Sequence, residues 1–335
     1  MPAAGSEHLR SRPTGGVTVP SIDLSLAELR RYVPSTEPPA DLDAFWMRVL
    51  DEALSTPLDV ELRAGDPRLV GVSAFAVTFE GFGGGRVNGW YLRPTSEGPF
   101  PGVVSYHGYS GRGARPLELY TLAAQGVAVL SMDCRGQGGD SPGISTDAAF
   151  GGGWLVQGLE DPEHYYYRTV YGDAVRAAEV LCSFAEVDAE RIAFTGVSQG
   201  GGLTLAAAAL SPRARFAWAD VPFLCDFPRA VEVATADPYP ELPRLLRRRP
   251  DLHDQAFKTL SYFDAANLAP RISCPVVVTV SLWDEICPPS TIFGAFSRLA
   301  VDDRELVVQP FLGHTLAYET EERRLSTLLE RLGVY

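Results

Sequence analysis

A Gly-x-Ser-x-Gly pentapeptide, residues 196–200, is the feature of this 335-residue sequence most able to do chemistry. It follows an apolar run that predicts a strand and precedes an Ala-rich run that predicts a helix. A turn this sharp strains the central residue, and the flanking glycines avoid Cβ clashes. The turn would expose the hydroxyl of Ser198 at the end of a sheet. We therefore predict that Ser198 is a nucleophile, the alternative being a packing turn with an incidental serine.

A serine nucleophile needs a base that removes its proton, and that base is usually histidine. Two histidines follow Ser198 in the chain. His253 lies beside acidic residues in a segment without strands, which is typical of a solvated helix face. His314 lies between the last predicted strand and the last predicted helix, where folds of this kind place the base. We predict that His314 is the general base.

The third member of such a triad is a carboxylate that orients the histidine and lies between serine and histidine in chain order. Asp284 comes directly off the penultimate predicted strand and is the candidate acid, with Glu285 next to it as the alternative. The remaining acids weighed are less well placed, because they lie in the strand-free segment or in a turn before a strand: Asp264, Asp302 and Asp303.

The loop after the predicted strand Gly102–Tyr106 supplies candidates for an oxyanion hole. In α/β-hydrolases a backbone N–H of this loop pairs with the N–H of the residue after the nucleophile. We predict that the N–H groups of Tyr109 and Gln199 are these two donors. His107 precedes Ser198 and sits at a strand end, so we interpret it as a residue that orients the loop.

Two further side chains, Arg135 and Gln137, follow the next predicted strand, and we expect them to support the loops around the nucleophile structurally. His164 and the acids beside it could suggest a metal site. Clustered acids in a loop are more often solvated, and the mechanism needs no metal, so we expect neither a metal nor another cofactor.

Strands alternate with helices along most of the chain, which predicts an α/β-hydrolase fold with a mostly parallel sheet and helices on both faces. Leading hairpin strands suggest an antiparallel edge. The predicted strands are Val70–Phe79, Val87–Arg93, Gly102–Tyr106, Val127–Met132, Arg191–Thr195, Phe216–Ala219, Pro275–Ser281 and Glu305–Pro310. The predicted helices are Asp41–Leu54, Leu117–Ala124, Tyr167–Phe184, Leu203–Leu210, Thr291–Leu299 and Glu321–Leu332.

The chain length fits a single domain covering residues 1–335. We expect residues 1–60 to form an N-terminal extension with a helix, in which Asp41 caps the helix. Residues 222–267 contain several prolines and no clear strand, which predicts a helical insertion before the last two strands. Such an insertion would overhang the edge of the sheet where ligands bind in open α/β folds.

The composition of the chain limits the classes of molecule that it is expected to bind. A net charge of −13 argues against nucleic acid or an anionic membrane surface and leaves small neutral or cationic molecules. No stretch has the apolar length of a membrane span, and residues 1–20 show no secretion signal. Five scattered cysteines predict neither a disulfide framework nor a zinc site. We therefore expect a cytoplasmic protein.

Together these motifs resemble the acetyl xylan esterase and cephalosporin C deacetylase family, carbohydrate esterase family seven. The resemblance runs from about Phe45 to the C-terminus. One departure is Thr315, where the family usually has glutamate after the histidine. The motifs that carry the resemblance are His107–Gly113, Asp133–Gly138, Tyr165–Arg168, Gly196–Gly202, Asp220–Cys225, Leu260–Asp264 and Asp284–Ser290.

The resemblance implies the same triad, the same oxyanion donors and the removal of short acyl groups from varied alcohols. Substrates would include acetylated sugars, xylo-oligosaccharides and cephalosporin C. Tyr109, Phe223 and Pro238 are the expected walls of a small acyl pocket. The resemblance also implies a homohexamer, to which we add that Val70–Phe79 and Val87–Arg93 would leave a sheet edge to cover. Two alternatives stay open: a hydrolase of other small esters or peptide-like substrates, and a catalytically silent binding protein.

Overall fold

One nine-stranded sheet runs through the computed structural model, which describes residues 22–65, 69–144 and 153–335. The central strands are short apolar runs buried on both faces, as expected where helices cover both sides of a sheet. In chain order the strands are β1 Glu61–Ala64, β2 Val72–Glu80, β3 Arg86–Pro94, β4 Phe100–Tyr106, β5 Ala128–Met132, β6 Val187–Val197, β7 Ala214–Asp220, β8 Val276–Ser281 and β9 Arg304–Gln309.

The strand order is β1-β2-β3-β5-β4-β6-β7-β8-β9. The pairings of β1 with β2, β2 with β3 and β3 with β5 are antiparallel, and those from β5 through β9 are parallel. The predicted α/β class, with a mostly parallel sheet and an antiparallel edge, is therefore confirmed. The carboxyl ends of the parallel strands meet at one edge, and the loops carrying Tyr109, Ser198, Asp284 and His314 all leave from that edge.

Helices pack on both faces of the sheet. Neighbouring residues of one strand enter opposite cores: Val103 belongs to the same cluster as Leu119 and Leu328, whereas Val104 belongs to the cluster that contains Val175 and Leu203. The helices are α1 Leu26–Leu29, α2 Leu42–Ser55, α3 Pro116–Ala124, α4 Tyr166–Ser183, α5 Gln199–Leu210, α6 Phe227–Val233, α7 Glu241–Leu246, α8 His253–Phe263, α9 Ala265–Leu268, α10 Pro289–Ser297 and α11 Tyr318–Arg331. Within the described ranges, no helix is both long and apolar enough to cross a membrane.

Helix α5 begins at Gln199, earlier than the predicted start at Leu203. The run Gly200–Gly202 concealed this start, because glycine disfavours helix interiors. Close approach explains these glycines: a Cβ at Gly200 would lie 2.1 Å from the carbonyl oxygen of Tyr106. The helix that follows Ser198 therefore packs its backbone directly against the end of β4.

The sheet has the expected antiparallel edge, but the two strands expected to form that edge are not the outermost ones. Strand β2 lies between β1 and β3, and β3 lies between β2 and β5, so neither predicted hairpin strand is an edge. The edge strand is β1, which sequence reasoning missed because all four of its residues are exposed and show no apolar alternation. A short exposed edge strand is one way in which proteins avoid edge pairing, so the edge argument for assembly no longer holds.

Helices α6 to α9 lie between β7 and β8, where the helical insertion was predicted. Helix α2 packs against this insertion, since the ring of Trp46 meets Phe263 of α8 edge-on. The same ring stacks on Tyr171 of α4. Asp41 precedes α2 but makes no side-chain cap, because its carboxylate accepts the hydroxyl of Tyr262 instead. Residues 1–21 of the expected extension lie outside the described residues, and the domain boundaries remain a prediction.

Candidate active site

Ser198 lies at the turn between β6 and α5 with φ 60° and ψ −118°, a conformation that non-glycine residues rarely adopt. Backbone bonds hold it there: its N–H donates to Asp220, and its carbonyl accepts from Gly202 and Phe223. A Cβ at Gly196 would lie 2.5 Å from the backbone of Gly200. The turn therefore requires the flanking glycines, and strain of this kind is typical of a nucleophile turn. Ser198 is only 9% exposed, so the openly exposed position expected from the sequence is not observed.

His314 and Asp284 meet at the same edge of the sheet. The Nδ1 atom of His314 lies 2.7 Å from Oδ2 of Asp284. The other oxygen of Asp284 accepts the N–H groups of Ile286 and Cys287 at 2.9 and 2.8 Å, which fixes the carboxylate. Asp284 is fully buried. A fixed carboxylate on Nδ1 keeps the proton there and leaves Nε2 free to act as a base.

The alternative candidates for the acid and the base are either exposed or already hydrogen-bonded to the backbone. The side chain of Glu285 is exposed, and its carbonyl accepts N–H groups of the insertion. His253 is exposed on α8 and pairs with Asp254. The Nε2 of His107 accepts the N–H of Cys134 at 2.8 Å, while its Nδ1 lies 2.7 Å from the Gly108 carbonyl. With both ring nitrogens bonded to the backbone, and its pKa lowered by burial, His107 orients its loop.

Cys287 is a site residue that sequence reasoning missed. Potential ligand atoms of Cys287, Asp284 and His314 all lie within 4.8 Å of one another, and its thiol interacts with the Ser198 hydroxyl. Burial first, and Asp284 next, raise the pKa of the Cys287 thiol well above its usual range. The thiol is therefore neutral and a poor nucleophile. Its position three residues after Asp284 was the only signal in the sequence.

A buried network of amides and phenols fixes Gln199, the first residue of α5. The side chains of Gln199 and Gln137 bond to each other reciprocally at 2.9 and 3.1 Å. The hydroxyl of Tyr167 donates to the side-chain oxygen Oε1 of Gln199 at 2.8 Å, and the side-chain amide of Gln137 donates to the hydroxyl of Tyr166. First-turn N–H groups have no acceptor inside their helix. This network therefore fixes the residue whose N–H was predicted to face an oxyanion.

Arg135 joins three parts of the chain through buried contacts. Its guanidinium reaches the buried carboxylate of Asp173 on α4 with two bonds, of 2.7 and 2.6 Å, and also donates to the carbonyl of Phe82. The N–H of Phe82 in turn donates to Asp173. These bonds join the loop after β5 to α4 and to the turn between β2 and β3.

Of the predicted pocket residues, Phe223 contacts Tyr109, and Pro238 lies one step further away beside Tyr239. The ring of Tyr109 meets Phe223 edge-on at 5.8 Å, and Phe223 packs against Tyr239 at 4.5 Å. Pro238 is buried next to Tyr239 in the chain. The hydroxyl of Tyr109 bonds to Glu241 of α7, a contact that the sequence did not suggest.

Two sequence features lie away from these contacts. Thr315 is held through its backbone: its carbonyl accepts from Ser281 and Gln309, and its side chain is exposed. The departure from the family pattern therefore leaves the His314–Asp284 contact unaffected. His164 forms an exposed pair with Asp161. In the described part of the chain, three potential metal-ligating side chains converge only at Asp284, Cys287 and His314.

Comparison with known proteins decides the family. The acetyl xylan esterase (AXE1) family matches residues 19–331. The chain belongs to the acetyl xylan esterase family. The resemblance noted in the sequence is thereby confirmed, as is the α/β-hydrolase fold, and the protein is a carboxylic ester hydrolase.

Individual members of the acetyl xylan esterase family match over most of the chain. Acetyl esterase Axe7A of Xylanibacter ruminicola is 29% identical over 306 residues, 89% of this chain and 69% of that protein. Acetyl xylan esterase from Paenibacillus sp. R4 superposes with a TM-score of 0.87 at 38% identity, covering 92% of this chain and 99% of that one. Acetyl xylan esterase 1 from a Thermoanaerobacterium species has a TM-score of 0.87 at 32% identity and the same coverage.

Proposed function

We propose that this esterase removes acetyl groups from small acetylated substrates with Ser198 as nucleophile, His314 as general base and Asp284 as the acid that orients His314. Acetylated sugars and xylo-oligosaccharides are the proposed substrates, with cephalosporin C as a further candidate. The observation that carries the proposal is the 2.7 Å contact between His314 and the buried Asp284, at the sheet edge that also carries Ser198 with its φ of 60°. A chain with a net charge of −13 suits the neutral acetylated sugars among these substrates.

In the proposed acylation, the Ser198 oxygen attacks the acetyl carbonyl carbon while Nε2 of His314 takes the hydroxyl proton. The carbonyl oxygen becomes an oxyanion, which the N–H groups of Tyr109 and Gln199 stabilise. Asp284 stabilises the imidazolium that forms and keeps its own charge. The intermediate collapses as the bond to the alcohol oxygen breaks, and His314 returns the proton to the departing alcohol.

Deacylation repeats these steps with water. His314 removes a proton from water, whose oxygen attacks the acetyl carbon of the acyl-enzyme. The second tetrahedral intermediate uses the same two N–H donors, and its collapse releases acetate. Ser198 recovers its proton from His314. The neutral thiol of Cys287 takes no part in these proton transfers, since burial keeps it protonated.

We expect a strong preference for short acyl groups. The proposed pocket is bounded by packed rings, Tyr109 against Phe223 and Trp154, so a longer chain must displace side chains. Overpacking of this kind typically costs about 1–3 kcal/mol. Initial rates with p-nitrophenyl acetate, propionate and octanoate should fall sharply at octanoate. Efficient hydrolysis of the octanoate would contradict the small pocket. The proposed substrate class would be contradicted if the protein cleaved unmodified peptides but did not deacetylate acetylated sugars or cephalosporin C.

We further propose that the chain assembles as a homohexamer in the cytoplasm and that assembly limits substrate size. Support comes from family membership and from five cysteines that form no disulfide, which suits a reducing compartment. Light scattering behind a sizing column should give about six times the chain mass of 36.3 kDa, and a monomer mass would refute assembly. Acetylated disaccharides should react faster per acetyl group than polymeric acetyl xylan. Equal rates would refute only the size limit.

A further inference from the structure

Tyr109 and Glu241 join two parts of the chain at the candidate active site. The Tyr109 hydroxyl lies 2.9 Å from each carboxylate oxygen of Glu241, to which it donates. The same hydroxyl accepts the N–H of Leu155 at 2.9 Å. Tyr109 belongs to the loop after β4, and Glu241 begins α7 in the helical insertion. One phenol therefore links this loop, the insertion and the segment around Leu155.

The rest of the Tyr109 side chain is held by rings. Trp154 and Phe223 meet the phenol edge-on, at 5.2 and 5.8 Å between centroids. The next residue, Ser110, has φ 58°, so the backbone turns sharply directly after Tyr109. The N–H of Gly111 donates to the carbonyl of Gly108 at 3.0 Å, so the turn is bonded across Tyr109 through its neighbours. The anchored side chain adds a constraint on Tyr109 itself.

We propose that Glu241 is a positioning residue for ester hydrolysis, which holds the side chain of Tyr109 so that the Tyr109 N–H points at the oxyanion. The inference rests on the proposed function, because it takes the Tyr109 N–H as an oxyanion donor. Glu241 itself touches neither the ester nor the triad. Small displacements of a donor weaken transition-state stabilisation steeply, and misplacement by 1 Å can cost about 100-fold in rate.

The surroundings of Glu241 make its charge dependent on pH. Burial raises the pKa of Glu241 to about 6. Bonding from Tyr109 and Leu155 and the charge of Arg244 lower this pKa, whereas the charge of Asp237 raises it. Tyr165 also lies close enough to feel the charge of Glu241, and burial keeps Tyr165 neutral. Above about pH 6 the carboxylate of Glu241 is charged and accepts a strong hydrogen bond from the Tyr109 hydroxyl. Below this pH the carboxyl group is neutral, and the hydrogen bond that holds Tyr109 weakens.

The first test replaces Glu241 with glutamine, which keeps the shape but not the charge. At pH 8 we expect Glu241→Gln to lower kcat about 10-fold and Glu241→Ala about 100-fold, with KM changed less than about threefold. Glu232→Gln is the matched control, since Glu232 lies on the neighbouring α6, is exposed and is paired only with Arg229 among the described contacts. Its kcat should stay at the wild-type value. Burst titration of active sites shows whether each variant is fully folded.

The second test follows the ratio of wild-type to Glu241→Gln kcat between pH 8 and pH 5. Any pH effect shared by the two proteins cancels in this ratio. The ratio should fall towards one through about pH 6, where wild-type Glu241 becomes neutral like glutamine. Tyr109→Phe should remove the same anchor, so its effect and that of Glu241→Ala should be strongly non-additive.

These outcomes separate the inference from the proposed function. An unchanged kcat for Glu241→Gln at pH 8 overturns the inference, and so does a loss that is equal at every pH or that is explained by a lower fraction of active sites. Additive effects of Tyr109→Phe and Glu241→Ala overturn it as well. The proposed function fails separately, if Ser198→Ala keeps its activity.

Discussion

Replacing Ser198 with alanine is expected to lower kcat about 1,000-fold or more while leaving the fold intact. Alanine removes the attacking oxygen, and only the oxyanion donors and substrate binding remain to accelerate the reaction. The backbone bonds of residue 198 to Asp220, Gly202 and Phe223 do not involve its side chain. Steady-state rates with p-nitrophenyl acetate measure the loss, and circular dichroism with thermal melting checks the fold.

The matched control for Ser198→Ala is Ser326→Ala. Ser326 is exposed on α11, and its hydroxyl donates only to the carbonyl of Arg323, three residues earlier. Its removal should leave kcat at the wild-type value. Turnover of Ser198→Ala close to that of the control would show that another group attacks the ester.

Removal of either His314 or Asp284 is the second change from which we expect a large effect. Without the imidazole no base takes the proton of Ser198, so His314→Ala should lose about 1,000-fold or more in kcat. Combining it with Ser198→Ala should add little, because the triad acts as a unit. His253→Ala is the control, since His253 is exposed and paired with Asp254. If His253→Ala abolished activity and His314→Ala did not, the base would be misassigned.

Asp284→Asn separates orientation from charge. Asparagine can keep an oxygen on the N–H groups of Ile286 and Cys287, so its amide nitrogen would face Nδ1 of His314. An N–H donor there favours the tautomer with its proton on Nε2, which cannot accept a proton from Ser198. We expect kcat to fall about 1,000-fold or more with KM little changed. A variant with near wild-type kcat would assign the orienting role to another carboxylate, with Glu285 the first to examine.

The members of the proposed triad could be selected from the sequence because each lies in the loop after a strand. Strand runs such as Val276–Ser281 are visible from their apolar residues, and parallel strands bring the loops after their carboxyl ends together at one edge. Position then favoured His314, which lies after the last strand, over His253, which lies beside acids in a strand-free segment. The same reasoning could not choose between Asp284 and Glu285 by geometry, because adjacent residues differ only in the direction of their side chains. In the structure one is buried against His314 and the other is exposed.

The supporting contacts could not be predicted, because they join residues far apart in the chain. Glu241 is 132 residues from Tyr109, and Asp173 is 38 residues from Arg135. No local pattern marks such partners. Cys287 was not singled out, because one cysteine three residues after an acid forms no recognised motif. Strand β1 was missed because an exposed strand has neither apolar alternation nor a buried run.

Mass spectrometry of the protein after reaction with a fluorophosphonate tests the central claim most directly, since the reagent bonds covalently to an activated serine. We predict one adduct per chain, located by peptide mapping on Ser198, with loss of esterase activity in step with labelling. His314→Ala should label far more slowly, and His253→Ala at the wild-type rate. An adduct on another residue, or full esterase activity in a protein labelled at Ser198, would contradict the account.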